Sequence, residues 1–159
     1  MKRYSRQDQT TMAVWAAYCA ERVLPLFESV YPEDDRPRRA IEACRAWAET
    51  GVFRMVDIRG ASLAAHAAAR DAKKGSAAQF AARAAGQAVA TAHVPQHAYG
   101  AAYYALKAVA AANPANVARE REWQAEQLPE GLREEIMERI IILERSGGVS
   151  IKLRKGEGF

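Results

Sequence analysis

An alanine-rich stretch runs from Ala61 to Asn113. It holds all three histidines of the chain, two of them in the knot TAHVPQHAYG at 91–100. Alanine has the best helix propensity and almost no side chain to keep neighbours apart, so a long run of it favours helices packed closely together. The stretch predicts the spine of an all-helical domain.

The chain has 159 residues, ordinary for one domain and enough to bury roughly 70% of the unfolded surface. Its apolar half leans on alanine, so the large anchors are few: three Trp, four Phe and scattered Leu, Ile and Val. Arg, Gln, Lys or His interrupts the apolar runs well before the roughly 20 residues a bilayer span requires. The opening residues Met1 to Gln9 are polar and lack a leader's charged-then-apolar order, which predicts a cytoplasmic address. Cys19 and Cys44 fall on apolar faces of separate helices, as small hydrophobes rather than a disulfide, and no zinc-type Cys/His cluster is present.

Periodicity and punctuation predict a single compact bundle of about seven helices over residues 1–147, followed by a basic tail at 148–159. The first helix, Asp8 to Val30, buries Met12, Trp15, Cys19, Val23 and Leu26 and should kink or restart at Pro25. In the second, Pro37 suits the first turn, and Ile41, Cys44 and Trp47 make the buried stripe before Gly51 stops it. The third covers about Val56 to Lys73, and Ser76 caps the fourth. There Gly86 and Ala90 form a small-xxx-small pair suited to the close approach of another backbone. A fifth helix follows Pro95, a sixth follows Asn113 and Pro114, and a seventh opens at Pro129. Leu132, Ile136, Ile140 and Leu143 form the core face of this last helix until Ser146 and the two glycines end it.

Two places break local helix rules. At the start of helix two, Glu33, Asp34, Asp35, Arg36 and Arg38 crowd together. The acids suit the positive end of the helix dipole, whereas Arg36, Arg38 and Arg39 oppose it and call for an anionic complement. That complement is either the neighbouring acids or a carboxylate-bearing partner. In the knot, His93 and His97 are four apart. They share a face only if the helix continues through Pro95; otherwise His93 lies at the end of helix four and His97 in the first turn of helix five. With His66 on another helix, they outline either a structural cluster or a polar site between helices. The corner at 33–38 and the knot at 93–97 are expected to lie near each other, as a functional surface or as a mutually satisfying network.

No P-loop, dinucleotide fingerprint, nucleophile elbow or HExxH zinc motif occurs, so no catalytic residue, metal or cofactor is expected. The net charge is +4, and most cations are interleaved with acids; only MKRYSR and KLRK are locally basic. Nucleic-acid binding through those ends is the weakest of three functional readings.

The run WAAYCAERVLPLFESVYPEDDRPRRAIEACRAW, then AHAAARDA, ATAHVPQHAYGAAYYALKA and REWQAEQLPEGLRE, resembles in order the bacterial immunity protein family with the immunity-five-like domain. The resemblance covers about Trp15 to Arg133. It implies a small all-helical cytoplasmic protein that binds and neutralises a toxin made by its own cell. The polar residues it matches are Glu33, Asp34, Asp35, Arg36, Arg38, His66, His93 and His97. The alternative is a small-molecule or metal site, possibly enzymatic, around His66, His93 and His97.

Overall fold

The computed structural model describes residues 3–154, so both basic ends lie partly outside it. Within it, α1 (Arg6–Glu28), α2 (Arg36–Thr50), α3 (Met55–Asp71), α4 (Ala77–Ala90) and α5 (His97–Ala112) form the main body. A 3-10 turn (Pro114–Asn116), α6 (Val117–Glu126) and α7 (Glu130–Met137) follow, and β1 (Ile140–Arg145) and β2 (Gly148–Leu153) close the chain. The protein is mostly helical, with one small two-stranded sheet. Among the described residues no helix is long and apolar enough to cross a membrane.

The centre is α4, which packs against α1, α2, α3 and α5. Its buried positions are Ala78, Ala81, Ala82, Ala84, Ala85, Gly86, Ala88 and Val89. Residues this small let four helices approach one, and the bulk that fills the gaps comes from the neighbours. Trp15, Met12 and Phe27 of α1, Ile41 and Trp47 of α2, and Tyr99 and Leu106 of α5 are all buried. The thiols of Cys19 and Cys44 are free and buried, and burial pushes Cys44 up to about 12. Two polar side chains reach partners on other elements: Trp15 Nε1 donates to the carbonyl of Gln124 at 2.8 Å, and the Tyr4 hydroxyl contacts Tyr99 and Glu135.

The local signals act as the residue chemistry demands. Ser76 Oγ accepts from the Gln79 amide at 3.1 Å, and Gly51 adopts φ 69°, the left-handed conformation that ends α2. Pro25 does not break α1, which continues for one further turn to Glu28. Beyond α7 the outcome differs from the sequence reading. The seventh helix ends at Met137, and Ile140 and Leu143 belong to β1, paired antiparallel with β2 in the register Ile142↔Ile151. Three consecutive isoleucines at 140–142 favour extended backbone, where branched side chains pack on a pleated surface. The boundary drawn at residue 147 falls in the hairpin turn, and the first part of the basic tail is β2.

Candidate functional site

All three histidines line one cleft of about 360 Å³ between α3, from Met55 to His66, and the end of α4. From α3 come Met55, Ile58, Arg59, Ser62, Leu63 and His66; Gln87 and Ala90 of α4, with His93 and His97, form the opposite wall.

Helix α4 stops at Ala90, and α5 begins at His97. The turn between them is held from below by Gln9 of α1, whose side-chain amide donates to the carbonyls of Thr91 (2.9 Å) and Ala92 (3.1 Å). Pro95 therefore separates the histidine pair into two settings. His93 is exposed in the turn and stacks on Phe53, with ring centroids 6.3 Å apart. His97 opens α5 with Nδ1 at 2.8 Å from Oε1 of Gln87, so Nδ1 donates and Nε2 keeps its lone pair. Burial lowers the His97 pKa, and the nearby His93 lowers it further.

His66 is held differently. Nη1 of Arg83 lies 3.0 Å from its Nδ1, and a guanidinium can only donate, so Nδ1 accepts and Nε2 carries the proton. Burial, then the Arg83 and Arg70 cations, push its pKa down to about 4, leaving the ring neutral at physiological pH. Its Nε2 abuts Gly86, so the small residue at 86 admits an imidazole rather than the backbone its spacing suggested. Gly100 performs the same service for Gln87, whose Oε1 would be 2.6 Å from a Cβ there. With Nδ1 engaged by a cation and Nε2 protonated, His66 offers a metal no lone pair. Among the described residues no group of three or more His, Cys, Asp or Glu is placed to hold one.

The charged corner lies elsewhere. Arg36 pairs with Asp34 (2.7 Å) and with Asp71 at the end of α3 (2.9 Å), Arg38 pairs with Glu28 of α1 (2.6 Å), and Arg39 pairs with Asp35 (2.7 Å). Asp34 also accepts from the Arg36 amide, and its hydrogen bonds from Arg36 hold its carboxyl below the usual range. The corner's arginines are thus complemented from within the chain. Asp35 occupies the cap position without a side-chain capping bond, and Glu33 is exposed. The corner packs against the C-terminal end of α3, whereas the histidine knot follows the C-terminal end of α4 and faces α3 from Met55 to His66. The corner and the knot therefore lie toward opposite ends of α3, and the expected juxtaposition does not occur.

A family model described as Imm-5 like putative immunity protein matches residues 2–131. The chain belongs to that family. No curated protein and no solved structure matches it. For this family member the matched span includes the corner, the cleft and all three histidines, and it ends before the hairpin.

Sequence reasoning missed Phe53, Met55, Arg59, Leu63 and Gln87. The first four lie where α3 and its lead-in leave apolar residues uncovered: Val52 is 64% exposed, Val56 79% and Leu63 55%, with Phe53 and Met55 also exposed. The available signal was the excess of large apolar residues in VFRMVDIRGASL over what one helix face can bury. The signal for Gln87 was the pair of glycines, Gly86 and Gly100, each interior to an alanine-rich helix where alanine is the better helix former.

Proposed function

We propose that this protein is a stoichiometric binder that neutralises a cognate bacterial toxin in the cytoplasm, docking it on the face formed by α3, its lead-in and the histidine cleft. The observation that carries the reading is the run of five exposed large apolar residues on α3 and its lead-in, Val52, Phe53, Met55, Val56 and Leu63, of which Met55 and Leu63 line the cleft and Phe53 stacks on His93. Contiguous apolar surface of this kind marks interaction sites, and an adjoining pocket receives an anchoring side chain. Membership of an immunity protein family supports the same class of function.

The test is capture of partners from the native host on immobilised protein, read by mass spectrometry. The native protein should retain one toxin-like protein in one-to-one ratio. Leu63→Asp, at an exposed position, should release it with the fold unchanged by circular dichroism. Retention of that partner by Leu63→Asp and by Val56→Asp overturns the assignment of this face.

A further inference from the structure

The arginines are distributed unevenly in their pairing. Arg22, Arg36, Arg38, Arg39 and Arg45, on α1 and α2, each have a carboxylate partner. Around the cleft the pattern reverses: Arg59 and Arg70 of α3 have no ion pair among the described residues, and Arg83 is spent on a neutral imidazole. The cleft lining includes Arg59 and three histidines and no Asp or Glu. Asp57, the acid closest in sequence to Arg59, is not part of the lining. The other half of the wall is apolar, from Met55, Ile58, Leu63 and Ala90.

We infer that the cleft is a receptor for a carboxylate carried on an apolar body, supplied by the partner as an Asp or Glu beside an apolar residue, with Arg59 as its cation. This deepens the docking reading and rests on it. Charge complementarity identifies the occupant. A cavity with one cation and no carboxylate in its lining disfavours a basic side chain and leaves a neutral one without a partner for Arg59. The apolar wall favours a carboxylate on a hydrocarbon body over a heavily hydrated phosphate. Burial, and then the Arg83 and Arg70 cations, keep His66 neutral, so Arg59 is the one fixed charge among the cleft-lining residues His66 and Arg59 of α3.

The probe is hexanoate, compared with hexan-1-ol, hexylammonium and inorganic phosphate, in titrations followed by the ring signals of His66, His93 and His97 in heteronuclear NMR. Hexanoate should saturate and bind about tenfold tighter than hexan-1-ol, the value of one charge-assisted contact. Arg59→Gln, at an exposed position, should remove that advantage while leaving hexan-1-ol unchanged. Hexanoate binding no tighter than hexan-1-ol, or indifference to Arg59→Gln, overturns the inference, as does tighter binding of phosphate. The partner experiment separates the two levels. If Leu63→Asp releases the partner while hexanoate shows no preference, only the carboxylate assignment falls. If Leu63→Asp retains it, the docking face falls with it.

Discussion

Gly86 is the floor on which the imidazole of His66 rests: a Cβ at this position would lie 2.7 Å from Nε2 and 2.9 Å from each of the two ring carbons beside it. Alanine at a helix interior is favoured over glycine by about 1 kcal/mol, but overpacking of this kind costs about 1–3 kcal/mol. Gly86→Ala should therefore lose about 1 kcal/mol net and displace the His66 ring. Gly60, within α3 and with nothing within 4 Å of a built Cβ, is the control. Gly60→Ala should gain about 0.5–1 kcal/mol. Urea unfolding of both variants checks the contrast, which vanishes if the ring has room to retreat.

The acid sensitivity of the fold follows from the same ring. A denatured His66 takes up a proton near its ordinary pKa of 6.5, whereas the folded one resists until about 4. Between those values the unfolded state holds more protons, so stability is complete above the unfolded pKa and falls as pH drops through that window. His97 contributes in the same direction. Denaturation midpoints measured from pH 7 to pH 4 should decline, and His66→Asn, which keeps an acceptor for Arg83, should flatten much of the slope.

Arg22 joins α1 to α6 through both carboxylate oxygens of Glu120, at 2.7 and 3.3 Å, and its guanidinium lies 4.3 Å from the centroid of the Trp123 ring. Glu120 is nearly buried while Arg22 is half exposed, so screening discounts the pair. A double-mutant cycle with Arg22→Ala and Glu120→Gln should give a coupling of about 1 kcal/mol. Arg22→Lys should not restore it, because an ammonium reproduces neither the fork nor the stacking.

The hairpin makes a prediction that a seventh helix extending past Met137 would reverse. In β1, Ile140 is fully buried and Ile142 packs on the core beside Ile151, whereas Leu143 alternates to the other face, in phase with Ile141. Ile142→Ala should cost more than Leu143→Ala, by about 1 kcal/mol or more, and Ile140→Ala most of all, about 2–4 kcal/mol. Thermal unfolding of the three variants gives the order.

The helices were legible because their ends are written locally: Ser76, Gly51 and Pro95 each act on their own backbone within a few residues. The site was legible in part, since three histidines in one alanine-rich run had few places to go. The pairing was not. Asp71 is 35 residues from Arg36, and Gln87 is ten from His97 across a turn whose angle no local residue fixes. Leu132, Ile136, Ile140 and Leu143 do fall at helical spacing, but Ile140 and Ile142 fall equally well at the alternate spacing of a strand. Only the pairing across Ser146 and Gly147 decides between them.

Helix α3 is fastened unevenly along its length. Ala65, Ala68 and Ala69 bury its C-terminal half, Asp71 is tied to Arg36, and the Tyr31 hydroxyl accepts from the Lys73 amide just beyond. Its first ten residues bury only Ile58. The seventeen-residue rod is about 25 Å long, clamped at one end and lightly seated at the end that walls the cleft. The end that walls the cleft therefore has the fewer buried contacts to oppose a tilt about the fastened end.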